Sequence, residues 1–308
     1  MASLKEVKNR INSVKNTRKI TSAMKMVASA KLHKAQAAIE NMLSYRKMMN
    51  RMLTRFLSTI DASLGAPFTV EREVKRVGII VYSSNSSLCG AFNANVIKRL
   101  VEVAGRYKTI KKEDIWVYPV GKKVEEAARK LGFNLQGTFQ EMAGKPSYEE
   151  AAKLAETVIG QFVAGELDKV EIIFHHYRSA GVQELRDNAY LPVNLRQIEK
   201  EVALEEEALE EAGKTERKSN KEPARIDYIV EPSVEKLISA LLPTVLKLKI
   251  FTALLDSGAS EHAARMMAMQ AATDNANELI QDLTKQYNKT RQQAITNELL
   301  DIIGGSIK

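Results

Sequence analysis

The sequence has 308 residues, 44% hydrophobic and 6% aromatic, with a formal net charge of +8, which is enough chain for one or two domains. No apolar run approaches the eighteen or so residues that cross a bilayer, and a single cysteine, Cys89, excludes an internal disulfide and any CxxC metal site. The N-terminus is basic but helically patterned rather than built around a signal peptide's apolar core, so the chain is expected inside the cell.

Residues 3–60 contain neither Gly nor Pro. Leu4, Val7, Ile11 and Val14 step along them at coiled-coil spacing, followed by Ile20, Met24 and Val27. A second regular run takes Leu32, Ala35, Ile39, Met42, Met49, Leu53, Phe56 and Ile60, with Arg46 in the missing slot. Read by hydrophobicity, this is a coiled-coil seam with a phase break near Thr17. Residues 1–60 also carry thirteen Lys/Arg against two acidic residues. Such a face suits water, an acidic protein surface, nucleic acid or lipid headgroups.

Gly65 and Pro67 end this helix within Ala62–Thr69. Apolar runs then alternate with helical patterns. Val77–Tyr82, Ile115–Val120 and Val170–His175 read as buried strands, and Phe133–Phe139 as a short one. Asn93–Val103, Lys122–Leu131 and Ser147–Val163 read as helices, the last capped by Ser147 with Glu150 three residues on. Val182–Val193 and Ile226–Val230 read as an antiparallel pair. The alternation predicts a small, mostly parallel sheet covered on both faces. Residues 199–222, with nine Glu against five Lys/Arg, interrupt it as a polar excursion.

The turn after the first strand, Ser83 to Ala91, has small residues where a phosphate loop would lie but lacks GxGxxG and GxxxxGK[ST]. A tight turn with a buried Cys89 is the plainer reading. A Cys89–His175/His176 pair has no acylation signature beside it. His33 and His262 read as surface residues, and Arg178, Arg186 and Asp187 as solvated strand-end charges. No convincing catalytic centre emerges.

The last seventy residues, Val234–Ile303, hold no helix breaker other than Pro243 and Gly258. As one helix they would run roughly 105 Å, where a domain of this size is about 40 Å across. The helix must project, and the basic N-terminal helix is its natural antiparallel partner. Ile280, Leu283, Tyr287, Ile295, Leu299 and Ile302 continue the 3-4 spacing. Between Ala259 and Ala276, Ala and Met cover nearly every direction around the helix, which implies contacts on several sides. Arg265 stands within that surface and requires a carboxylate or carbonyl partner.

Together these residues resemble the gamma-subunit family of F-type ATP synthases over nearly the whole chain. Three blocks carry the resemblance: Asn16 to Ala28 (NTRKITSAMKMVA); Leu88-Cys89-Gly90 with Asn93; and the closing ITNELLDIIGG. Ile295, Thr296, Glu298, Asp301 and Gly305 satisfy the family's C-terminal signature, while Ser306 stands where Ala is usual.

The resemblance implies an α/β fold: a long antiparallel two-helix coiled coil from the two termini plus a central Rossmann-like α/β domain with a mostly parallel sheet. Residues 1–61 and 232–308 would be the coiled-coil helices and 74–231 the central domain. It implies a rotor shaft inside a ring of three alpha and three beta subunits, with the epsilon subunit and the membrane c-ring at its foot. Proton flow would turn the shaft and drive ATP synthesis or hydrolysis at the beta subunits. Gamma itself would bind no nucleotide, cofactor or metal. Met24, Lys25, Arg265, Arg291, Gln292, Thr296 and Glu298 match ring-contact positions, and Tyr228 and Glu231 match the foot. With no transit peptide and no second cysteine for thiol control, a bacterial source at the cytoplasmic face of the cell membrane is expected. The alternatives are a coiled-coil nucleic-acid binder or scaffold, or an enzyme on the central sheet.

Overall fold

The computed structural model describes residues 3–57, 66–194 and 234–305. Helix α1 (Leu4–Leu57) leads into the short α2 (Ala66–Thr69). The central elements are β1 (Val77–Tyr82), α3 (Phe92–Arg106), β2 (Ile115–Val120), α4 (Lys122–Lys130), β3 (Asn134–Leu135), α5 (Gln140–Gly144), α6 (Tyr148–Val163), β4 (Lys169–Ser179) and β5 (Val182–Leu191). Helix α7 (Val234–Gly305) closes the described chain in 72 residues, passing through Pro243 without a break.

The strands form one sheet in the order β3-β2-β1-β4-β5, parallel except for β5. β1 is buried at all six positions, as a central parallel strand covered on both faces must be. One face packs Val77, Ile79 and Val81 against α3 and α4. The other packs Ile80, Tyr82, Tyr118 and Tyr190 against α6 and the base of α7, where Leu242, Leu246, Ile250 and Leu254 are buried. The long C-terminal helix is therefore a layer of the domain before it becomes half of a rod.

β5 pairs antiparallel with β4, which runs on to Ser179 and turns straight back at Ala180–Gly181; its expected partner Ile226–Val230 and residues 199–222 lie outside the described residues. Two local expectations change. Phe133–Phe139 contributes only the two-residue β3. Ser147 occupies the N-cap of α6 with extended backbone but makes no side-chain capping bond. Its main-chain carbonyl does accept from Ala151 N.

The rod also differs from its hydrophobic reading. Thr21 Oγ1 lies 2.8 Å from Thr273 Oγ1, and Arg18 Nη1 donates to Asn277 Oδ1 at 3.2 Å, so α1 and α7 run antiparallel. Besides flanking half-buried positions at 4, 22, 24, 36, 38, 43, 47 and 50, the buried or half-buried positions of α1 are 7, 11, 14, 18, 21, 25, 28, 32, 35, 39, 42, 46 and 49. These alternate steps of four and three from end to end, so there is no phase break at Thr17. Arg18, Thr21, Lys25 and Ala28 hold the seam slots. Ile20 and Val27, expected inside, are 60% and 57% exposed.

Candidate functional site

The parallel strands end where α7 begins to leave the sheet, and here the domain grips the rod. In a doubly wound sheet the crevice between outward-diverging crossovers, here after β1 and β4, is where ligands bind. In this chain α7 fills it. The phenol of Tyr82 donates to the carbonyl of Ile250 at 2.9 Å, and that of Tyr190 to Leu246 at 3.1 Å. Both hydroxyls are fully buried, which pushes their pKa values up and keeps them neutral donors. His176 Nδ1 lies 2.9 Å from Asp256 Oδ2, and Ser260 Oγ donates to the carbonyl of His175 at 3.4 Å. Helix α1 joins through Gln36, whose Nε2 donates to Tyr177 OH at 2.7 Å.

The β1–α3 loop completes the grip. Asn93 Oδ1 accepts from Ser84 N (3.1 Å), and its Nδ2 donates to Ser84 Oγ (2.8 Å) and Cys89 Sγ (3.1 Å). Arg265 reaches the loop from α7: Nη2 donates to Ser86 Oγ at 2.9 Å and to the Ser86 carbonyl at 3.2 Å, while Nη1 pairs with Glu261. Arg265 thus has the carboxylate and carbonyl partners its setting demanded, both within its own chain.

The groups that a phosphate site or a Cys–His pair would use are engaged within the chain. The first amides of α4, which would cradle a phosphate, already donate within the chain: Lys122 N to Asn85 Oδ1, Lys123 N to Ser84 O and Val124 N to Ser83 Oγ. Gly121, at φ +107°, lets the ends of β1 and β2 approach closely; a Cβ there would meet the Ser83 carbonyl oxygen at 2.2 Å. Cys89 is buried against Ser84, Ser86 and Asn93, none of them a base. His175 stacks on Phe92 at 4.3 Å, and burial lowers its pKa to about 4, so it is neutral at pH 7. Among the described residues no group of three or more His, Cys, Asp or Glu is placed to hold a metal.

Other expectations are refined here. His33 is exposed, but His262 is half-buried beside Arg265 and Lys31; burial first, then those cations, lowers its pKa to about 4. The strand-end charges are paired: Arg186 and Arg178 with Glu184, and Asp187 with Arg99 and Arg106. The Arg186 hydrogen bond is the main cause that lowers the Glu184 pKa.

The positions matched to ring contacts fall in two places. Met24 and Lys25 are half-buried on the rod, Lys25 in a seam slot. Arg291, Gln292, Thr296 and Glu298 are exposed on α7. With Thr21 opposite Thr273, Leu4 falls opposite Thr290, so residues 291–305 run roughly 22 Å past the start of α1. Ile295, Leu299 and Ile302, expected in the seam, are 49%, 54% and 68% exposed there. Tyr228 and Glu231 lie outside the described residues. What hydrophobicity missed was the polar seam and the Tyr82, Tyr190, Gln36 and His176 anchors; strict counting from Val7 in alternating fours and threes would have found the seam.

A stiff antiparallel helix pair, rooted in a Rossmann-like base and bare at its far end, defines a shaft protein. The sequence matches the ATP synthase family model over residues 3–307. ATP synthase gamma chains of Bacteroides thetaiotaomicron and Parabacteroides distasonis are 60% and 45% identical over 308 and 306 residues, covering 100% and 99% of both chains. Among solved structures, a rotor chain of the Euglena gracilis mitochondrial ATP synthase in rotational state 1 gives a TM-score of 0.60 at 19% identity, covering 95% of this chain and 98% of that one. A central-stalk chain of the Tetrahymena thermophila mitochondrial enzyme gives 0.55 at 22%, covering 82% and 99%. At those identities the solved structures speak for the fold. The chain belongs to the ATP synthase gamma-chain family.

Proposed function

We propose that the chain is the central shaft of a proton-driven ATP synthase, turned from its foot and read at its tip by the catalytic subunits. One observation carries this reading. The distal rod turns its large apolar residues outward: Ile20, Met26, Val27 and Met267 on the paired section, then Ile295, Leu299, Leu300 and Ile302 on the overhang, are each 47% or more exposed. A helix pair that only stapled itself together would turn them in. Exposed apolar surface of this extent marks contact with a partner, and a sleeve around the rod meets it on every side.

The sleeve is a ring of three alpha and three beta subunits, and catalysis belongs to the beta subunits. A turning shaft cannot keep one fixed set of interlocked contacts. Short Ala, adaptable Met and long-range charge suit it better. The basic α1 draws an acidic inner surface without demanding one orientation. Arg291, Gln292, Thr296 and Glu298 act as polar catches on the overhang, each charged hydrogen bond worth about 1.5–3 kcal/mol and remade at every step. Met24 and Lys25 meet the beta subunits' acidic lever loop lower down. Tyr228 and Glu231 serve the foot, where epsilon and the c-ring dock. The complex holds the chain at the cytoplasmic face of a bacterial membrane; no helix among the described residues is long and apolar enough to cross one.

The deciding experiment is native co-purification followed by turnover. Pull-down of the tagged chain should yield a large ATPase with one copy of it, and Gln292→Ala should lower ATPase turnover severalfold with an unchanged melting temperature. Recovery of the chain free of alpha and beta subunits overturns the reading.

A further inference from the structure

The resemblance groups Arg265 with the ring contacts; within the chain its guanidinium also engages the β1–α3 loop. Its side chain is 12% exposed, as is that of its partner Glu261. Nη2 is shared among Ser86 Oγ (2.9 Å), the Ser86 carbonyl (3.2 Å) and the Ser87 carbonyl (3.4 Å). Two of these acceptors are main-chain, so the bond fixes the path of the loop as well as one side chain.

The loop shows why such fixing matters. Leu88 has φ +69°, a left-handed conformation uncommon for a residue with a side chain, and is 60% exposed. A strained apolar residue held out into solvent persists only where its surroundings over-determine it. They do so from three sides. Asn93 holds Ser84 and Cys89; Asn85 Nδ2 donates to the Gln140 carbonyl at 2.7 Å; and Arg265 holds Ser86 and Ser87. Asn93 and Asn85 tie the loop to its own domain, whereas Arg265 ties it to the rod. A Cβ placed on Gly90 would lie 4.0 Å from Ala268 Cβ, so the loop packs against α7 one turn beyond the arginine.

We infer that Arg265 is a positioning residue: it clamps the Ser86–Leu88 loop to α7, so that Leu88 and the shaft move as one body and any push on the loop passes directly into the rod. This inference rests on the shaft reading above and gives Arg265 a different task from Gln292.

The test uses the assembled ATPase complex in a Cys89→Ser background. Arg265→Gln should speed hydrogen exchange of the Ser86–Gly90 amides tenfold or more and lower turnover severalfold, with amide exchange around Gln292 unchanged. A second variant adds Gly90→Cys and Ala268→Cys, whose Cβ atoms fall within the 3.5–4.5 Å span of a disulfide. Oxidation, by re-attaching the loop, should restore turnover lost in Arg265→Gln, and reduction should remove it again; the reduced pair controls for placing Cys at the left-handed Gly90. Lost turnover with unchanged loop exchange overturns the inference in favour of direct ring contact, as does a re-protected loop without recovered turnover. Unchanged turnover in Arg265→Gln also overturns it, leaving the shaft reading intact provided Gln292→Ala still slows the enzyme. If neither variant slows it, the shaft reading falls as well.

Discussion

Two stretches of the same rod bury their residues in opposite senses. Near the domain, Leu32 of α1 is buried against Ala259 and Ala263 of α7, and Met49 joins the sheet's core. Higher up, between residues 18–28 and 266–277, the seam holds Arg18, Thr21, Lys25 and Ala28, while Ile20, Met26, Val27 and Met267 face out. The lower stretch is a core that happens to be long. The upper stretch gives up part of its self-association and offers the apolar surface to something else. The direction in which the apolar residues point separates them.

That contrast makes graded predictions for the full-length chain and its complex. Leu254→Ala, in the lower stretch's buried layer, should cost about 3 kcal/mol of unfolding free energy by leaving a cavity that rigid neighbours cannot fill; denaturant titration reads it. A loss below about 1 kcal/mol would show that the base of α7 is loosely packed.

Acid should attack the same anchor. His175 has a folded pKa of about 4 against an ordinary 6.5, so between those values the unfolded chain binds the extra proton and stability rises with pH. Its contribution is complete above about pH 6.5 and is lost as pH falls toward 4, at about 1.4 kcal/mol per pH unit. Thermal melts should show that slope. His262, lowered to about 4 as well, adds a like slope over the same window. His175→Phe, which keeps a ring against Phe92, should therefore roughly halve the total; an unchanged slope assigns the effect to other groups.

In the upper seam, Thr21→Val or Thr273→Val alone should cost about 1 kcal/mol, since each breaks the hydroxyl pair. The double variant should return close to the parent, because two matched methyl surfaces replace two matched hydroxyls. Additive losses in a double-mutant cycle would deny the coupling. Smallest in stability, Ile20→Ser and Val27→Ser should stay within about 0.5 kcal/mol of the parent yet lower turnover of the complex. A stability loss as large as that of Leu254→Ala would place these residues inside a core after all.

The fold was legible wherever one physical demand ruled. The six-residue run Val77–Tyr82 reads as a central strand because parallel strands are wet on neither face. Lys122–Lys130 and Tyr148–Val163 show their apolar stripes at helical spacing. Legibility failed where two demands competed. Ile20 and Val27 were assigned inward because hydrophobicity normally means burial, and a partner's surface is invisible in one sequence. Ile295, Leu299 and Ile302 failed likewise, keeping the seam's period after the opposite helix had ended. The need of Arg265 for a partner is legible, but only folding brings Ser86 and Ser87 to it across 179 and 178 residues of sequence. That the hydroxyls of Tyr82 and Tyr190 seek α7 follows from sheet order, which no local pattern contains.

The antiparallel arrangement also sets a timetable for synthesis. The seam joins residues about 250 apart, Thr21 with Thr273 and Arg18 with Asn277. At about 5–20 residues per second, α1 leaves the ribosome roughly ten to fifty seconds before the far half of its partner exists. During that wait an uninterrupted apolar heptad would invite pairing between nascent chains. Arg18 and Lys25 at seam positions penalise such like-with-like pairing by opposing charge and buried polarity. A polar upper seam is thus expected to keep the first-made helix single until its own chain has been finished.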